Sequence, residues 1–304
     1  MRIFSQLTKV GISAFASFSA SAGFILAKGE ISLQIVLPVI GILFLACGSC
    51  ALNQYQEQKT DGLMERTKNR PLPSGKIHPQ MALRIALGLI FLGFLILFYG
   101  TNRVSLGLGL FALLWYNGVY AYLKQKTAFA TLPGALVGII PPLVGWVSGG
   151  GKLFDPQIGV IAFFFFVWQI PHFWLLVLDF AEDYDRSGLP CLTRVFRIEQ
   201  LKRVTLIWML VTAVSSLFFS LFGFVRYEAV QVLLVIATLW LVWNAIHFLS
   251  SASREGSFRS AFLRLNTYVF LVIALLSFDK ILNFGYERGT LISQVLAMMG
   301  FKLV

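Results

Sequence analysis

The chain has 304 residues, of which 57% are hydrophobic and only 13% charged, with a mean hydropathy of +0.77. A soluble globular domain carries about 25% charged residues, so an ordinary soluble fold is excluded. The net charge of +11 does not point to nucleic acid either, because Lys and Arg lie in loops between apolar runs, as membrane topology demands.

Three cysteines are present. Cys47 and Cys50 form a C-x-x-C inside an apolar run and read as small packing residues rather than a redox or metal pair; no disulfide framework is implied. The first apolar run has no clear small-residue cleavage site after it and reads as a mature helix.

A spanning helix needs about 20 mostly apolar residues. Nine runs qualify: 11–27, 31–52, 81–99, 104–120, 129–147, 157–178, 204–223, 229–250 and 265–283. Backbone groups in lipid have no water to bond, so each is expected to be a helix. With the N-terminus inside, eighteen Lys and Arg fall in inner segments and seven in outer ones, which predicts a cytoplasmic N-terminus. The expected fold is all-α: one transmembrane domain, 1–304, a bundle of about nine helices around an intramembrane cavity.

Two inner loops are long, 53–80 and 179–203, and eight acidic residues lie in them, seven at the ends of the second and sixth helices. In the first cluster Asn53, Glu57 and Asp61 are spaced i, i+4, i+8, one face of a helix. Two carboxylates and an amide oxygen are hard donors of the kind Mg²⁺ takes, completed by water and phosphate. Arg66, Lys68 and Arg70 follow directly and suit the remaining charge of a diphosphate. A solvated helix end beside ordinary inside-positive charges explains the spacing equally well.

The second cluster, Asp179, Glu182, Asp183 and Asp185 with Arg186, follows an aromatic helix. Four acids within seven residues repel one another, and a bound cation would relieve them. An acidic helix cap offset by Arg186 and Arg194 is the plainer alternative. Of the three histidines, His78 in a loop and His247 in an apolar helix read as structural or interfacial.

The stretch from Asn53 to Gly75 resembles the first acidic motif of the UbiA superfamily of membrane prenyltransferases. It is most similar to the branch that farnesylates protoheme IX, whose M-x-R-T-x-N-R-P-L is matched by Met64, Arg66, Thr67, Asn69, Arg70, Pro71 and Leu72. Tyr122 to Thr127 with Pro141 to Trp146, and Pro171-His172-Phe173-Trp174 with Asp183-Tyr184 and Gly188-Leu189-Pro190, resemble further motifs of that branch, as do Tyr268 and Asp279 more weakly. The likeness covers roughly 8–282. Lys59, Ala130 and the Asp179-Phe180-Ala181 run depart from the family's usual residues.

The resemblance implies transfer of a farnesyl group from farnesyl diphosphate to a vinyl group of heme B, giving heme O for terminal oxidases. It implies Mg²⁺, with Mn²⁺ as a substitute, on Asn53, Glu57, Asp61 and Asp183. Arg66, Lys68, Arg70, Lys124, His172, Asp179 and Tyr184 would hold substrate. Ring faces such as Tyr55, Tyr116, Tyr120, Tyr184 or Trp174 would shield an allylic cation. His172 could touch heme iron or merely bond backbone freed by Pro171. Lys124, Lys126, Arg194 and Arg197 would form a cationic rim for heme propionates, and Gly134, Ala135 and Gly138 a flat approach for the macrocycle. The expected setting is the inner (plasma) membrane, with the bilayer and heme-pathway or oxidase-assembly proteins as partners and no nucleic acid. Two alternatives remain: prenylation of a hydroxybenzoate or naphthoate, and a non-enzymatic carrier. A carrier places its polar groups near the bilayer midplane, whereas these carboxylates gather at one end.

Overall fold

The computed structural model describes residues 2–186, 188–250 and 257–298. Arg254 and Lys302, counted in the charge asymmetry, lie outside the described residues, as do the side chains of Asp185, Arg186 and Arg288.

A short helix α1 (Arg2–Thr8) leads into α2 (Val10–Lys28), α3 (Val36–Asp61) and α4 (Pro79–Gly100). Next, α5 (Arg103–Leu114) runs through a π turn, Trp115–Tyr120, into α6 (Ala121–Leu123). The chain continues with α7 (Thr131–Ser148), α8 (Pro156–Asp179), α9 (Ala181–Arg186), α10 (Leu192–Val195) and α11 (Ile198–Ser215). It ends with α12 (Phe218–Leu221), α13 (Glu228–Ser250) and α14 (Ser257–Met298). Among the described residues no strand occurs, and nine helical spans are long and apolar enough to cross a membrane.

Each expected run is one of these spans, and three extend beyond it. The second continues as helix to Asp61, so the first acidic cluster is helical rather than loop. The seventh begins at Ile198, because the Arg197 amide donates to Gln200 Oε1 at 2.9 Å and caps a polar first turn. The ninth begins at Ser257, carrying Arg259 and Arg264 on a turn outside the apolar window. Helix starts follow local chemistry elsewhere. Pro79 and Pro156 occupy first-turn positions that need no N–H, and Asn102 accepts from the Ser105 amide at 2.9 Å.

Helices in lipid gain little from hydrophobic burial against one another, so close backbone approach and packing decide the bundle. Glycines make that approach between α2 and α7. A Cβ on Gly145 would lie 1.8 Å from the Ala20 carbonyl oxygen, and one on Gly23 would lie 2.0 Å from that of Pro142. Between α3 and α4, a Cβ on Gly93 or Gly48 would meet backbone of the facing helix at 2.7–2.8 Å. The larger half of the core joins α8, α11, α13 and α14 around Phe164, Leu175, Leu241 and Tyr268, all buried. Tyr268 donates to Ser216 Oγ at 2.6 Å inside it.

At one end of the bundle Asp279, fully buried, accepts from the backbone amides of Arg226 (3.1 Å) and Tyr227 (3.0 Å), tying the α12–α13 connection to α14. Both acidic clusters lie at the opposite end.

The α2–α7 crossing yields a test. Gly145→Ala should lower stability by about 2 kcal/mol, because backbone, unlike a side chain, cannot move aside for the methyl group. An unchanged thermal midpoint in detergent would show that the helices do not cross this closely.

Candidate active site

The site begins on α3, whose last two and a half turns carry Asn53, Glu57 and Asp61 on one buried face, as their spacing predicts. Buried carboxylates need partners. Glu57 Oε2 accepts from Lys124 Nζ at 2.8 Å, and Asp61 Oδ2 accepts from the Arg70 guanidinium at 2.7 Å. Burial alone would lower the pKa of Lys124, but the Glu57 carboxylate more than offsets this and holds it above its ordinary value.

The loop after α3 folds back on the end of its own helix, and its motif residues explain why. Thr67, buried, donates to the Asp61 carbonyl at 2.7 Å; Arg70 reaches the Asp61 side chain; Met64 and Leu72 are buried as apolar anchors. Ile77 N donates to the Pro71 carbonyl at 3.2 Å and closes the loop before α4. The second acidic cluster joins here through Asp183, whose two carboxylate oxygens accept from the amides of Glu65 (3.1 Å) and Arg66 (3.0 Å). Clusters 117 residues apart in sequence are thus brought into direct contact.

A third element is the π turn. Asn117 donates to the Ser49 carbonyl at 3.0 Å, and Gln56 donates to the Asn117 carbonyl at 2.9 Å, stitching α5 to α3. Single π turns inside helices recur at functional sites. This one holds Tyr116 and Tyr120 as a stacked pair, centroids 5.7 Å apart at 15°.

These elements enclose a cavity of about 360 Å³. Its polar end is lined by Asn53, Glu57, Asp61, Arg66, Arg70 and Lys124, with Tyr116, Tyr120 and Tyr184 beside them. Its apolar end runs between α2, α3, α7 and α8 to Ile42, Leu45, Ile140 and Phe165. From Asn53 to Ile42 is eleven residues of helix, about 16 Å at 1.5 Å per residue.

Not every expected residue reaches this wall. Lys68 pairs on the surface with Glu65 at 2.6 Å, both well exposed, and contributes little there. Asp179 ends α8 without lining the cavity. His172 faces the other way, its Nδ1 2.8 Å from Asn266 Oδ1 on α14 and its ring against Phe262. Trp174 is in the core, and Tyr55 packs at the cluster under α1. On α7, Gly134 and Gly138 do line the cavity, close against the Tyr120 ring and the Gln169 side chain, whereas Ala135 is fully buried. Lys124, expected both on the inner rim and beside the diphosphate, lies against Glu57 and lines the cavity, while Lys126 lies over the Tyr122 ring at 5.8 Å. Residues the sequence did not single out are Lys9, which lines the polar end, and the stitching pair Gln56 and Asn117. Polarity inside apolar runs was the available signal for Asn117.

The donor set fits a hard divalent ion. Glu57 Oε1 and Asn53 Nδ2 are buried without hydrogen-bond partners, and exchanging the Asn53 amide atoms would present an oxygen instead. Among the described residues no three of His, Cys, Asp or Glu converge closely enough to cage an ion unaided. That suits Mg²⁺, which takes one or two carboxylates and completes its shell with water and phosphate oxygens.

Fold and site together define a polytopic membrane enzyme acting on an amphiphilic anion. The chain belongs to the UbiA prenyltransferase family, whose sequence profile matches residues 16–275. It is 32% identical to the protoheme IX farnesyltransferase of Oleidesulfovibrio alaskensis, over 94% of this chain and 99% of that one. It is 33% identical to that of Shigella sonnei, over 78% and 80%. Among solved structures it resembles digeranylgeranylglyceryl phosphate synthase, with a TM-score of 0.74 and 16% identity over 92% of this chain and 98% of that one. It also resembles a UbiA homologue from Archaeoglobus fulgidus bound to GPP and Mg²⁺, with a TM-score of 0.68 and 15% identity over 92% and 99%. This chain is a multi-pass membrane prenyltransferase of a family that uses a divalent metal.

The Glu57–Lys124 pair can be tested directly. Lys124→Met strands a buried carboxylate and should cost about 3 kcal/mol. The Lys124→Met/Glu57→Gln double variant should recover part of that loss in a detergent unfolding assay. Additive losses would mean the two side chains do not interact.

Proposed function

We propose that this chain transfers the farnesyl group of farnesyl diphosphate to a vinyl group of heme B, giving heme O, in the inner membrane with its site facing the cytoplasm. The observation that carries the reading is a single cavity with a paired, cationic oxygen-donor end and an apolar shaft about 16 Å deep. Such a shape takes a diphosphate at one end and a chain of a few isoprene units at the other. Relatives named for protoheme IX and farnesyl support the acceptor and the chain length.

In this reading Asn53, Glu57, Asp61 and Asp183 would hold Mg²⁺, which would supply positive charge to the departing diphosphate. Arg66, Arg70 and Lys124 take the rest as the C1–O bond breaks and its electron pair leaves with diphosphate. The Tyr116, Tyr120 and Tyr184 rings flank the allylic cation and keep water from it. The vinyl π electrons form the new carbon–carbon bond, and water adds to the resulting cation and loses a proton, leaving a hydroxyethylfarnesyl group.

Purified chain, farnesyl diphosphate and Mg²⁺ should convert heme B to a product heavier by one hydroxyfarnesyl unit, detected by mass spectrometry. Turnover of 4-hydroxybenzoate with heme B untouched would sink the heme assignment. Asp61→Ala and Asp183→Ala should each lower turnover at least about 10²-fold, or 2.7 kcal/mol at the barrier. Near-normal turnover in a folded variant would remove that residue from the site.

Orientation is checked separately. A cysteine introduced in 62–76 should react with an impermeant thiol reagent only from the cytoplasmic side, and one near 150 only from outside. The reverse pattern would invert the topology.

A further inference from the structure

Beside the cavity lies a second, open hollow of about 390 Å³, between the α1–α2 junction and the loop after α3. Lys9, Arg66 and Arg70 line it, and no acidic residue does. Lys9, Ile12, Arg66 and Arg70 line both spaces, so these side chains form the wall between cavity and vestibule.

The cations of this wall are unequally engaged. Arg70 is committed to Asp61. Arg66 stacks over the Phe180 ring at 4.9 Å and forms no ion pair within 4 Å among the described residues. Lys9 makes no ion pair or hydrogen bond through its amine among the described residues, and burial holds its pKa below the ordinary lysine value. An unpaired, half-buried ammonium is a cost that an incoming anion would relieve.

The backbone is arranged to keep Lys9 there. Gln54, fully buried on α3, donates to the carbonyls of Gln6 (2.7 Å) and Leu7 (3.0 Å) and clamps the last turn of α1. The chain then turns at Lys9 through φ 47°, the one left-handed non-glycine residue among those described, and α2 begins. Left-handed backbone at a non-glycine residue is costly and is retained where surroundings enforce it. Lys9 is also the N-cap of α2 without a side-chain cap, so the positive end of a 19-residue helix opens beside the same hollow.

We propose that this vestibule is a carboxylate site, in which Lys9, the one cation of the wall not assigned to the diphosphate, holds a propionate of the acceptor. The assignment rests on the heme reading above. In protoheme the vinyl and propionate groups occupy opposite edges of the macrocycle. A vinyl group placed against farnesyl C1, inside the cavity, leaves the propionates pointing out through its mouth. Carboxylates there need cations or water, and Lys9 stands on the wall between the diphosphate chamber and the open vestibule.

The test compares heme B with its propionate dimethyl ester, which keeps the macrocycle and vinyl groups and loses both charges. Lys9→Gln should raise the KM for heme B about tenfold, the loss of one charged hydrogen bond, and leave the KM for farnesyl diphosphate and for the diester unchanged. Lys9→Arg should restore the KM for heme B. Soret titration without farnesyl diphosphate should give the same ordering of affinities. A Lys9→Gln variant whose KM rises for farnesyl diphosphate, or equally for heme B and its diester, would overturn the carboxylate site. A wild-type chain that binds heme B but does not convert it would overturn the proposed reaction, and the titrations would still decide the vestibule.

Discussion

Two carboxylates buried at the end of a membrane helix are the constraint from which the site follows. Leaving Glu57 and Asp61 charged and unpaired beside lipid would cost several kcal/mol. Each partner comes from a different part of the chain: Lys124 from the end of the fourth span and Arg70 from the loop after α3. Pairing therefore sets where that loop folds and how the fourth span docks. The bonds from Thr67 to the Asp61 carbonyl and from the loop amides to Asp183 complete the same lid over α3. The ion pairs that stabilise this end of the bundle therefore also line its cavity.

The apolar half of the site depends on a different economy. In lipid, helices approach closely where side chains are small, and Gly23, Gly145, Gly48 and Gly93 make those approaches. Close contact on those faces leaves α2, α3, α7 and α8 spread around the shaft, where Ala16, Ala46, Ala112 and Val137 line the opening. Gly134 and Gly138 belong to the same scheme with the opposite use, giving room to the Tyr120 ring and the Gln169 side chain.

The spans were legible because twenty apolar residues in lipid have one backbone solution, and the α3 face was legible because three polar residues keep helical spacing. The loop residues were legible through family resemblance, and the structure supplies their physics. What remained hidden depends on direction. His172 sits in a recognisable segment, but which way a side chain leaves a helix in an all-apolar stretch is set by neighbours, here Asn266 and Phe262. Lys9 was hidden because a lysine before a spanning helix is ordinary inside-positive charge. Only the fold reveals that Gln54 clamps the preceding turn and directs it to the cavity wall. The charged starts of α11 and α14 were cut short because a hydropathy window ends where charge begins, while a capped helix does not.

Buried acids at the two ends of the bundle are satisfied in different ways. Asp279 spends both oxygens on backbone amides of one connection, Oδ1 on Arg226 and Tyr227 and Oδ2 on Arg226. Its lone pairs are satisfied by the fold itself. Glu57 is also buried but keeps Oε1 without a hydrogen-bond partner among the described residues, beside Asn53 Nδ2 in the same condition, and both residues line the cavity. Selection for stability alone would remove such an atom, since an unsatisfied buried acceptor costs about 1–3 kcal/mol. The fold tolerates that cost at Glu57 and avoids it at Asp279. The unsatisfied oxygen, more than the count of acidic residues, distinguishes the cavity end of the bundle from the end that holds Asp279.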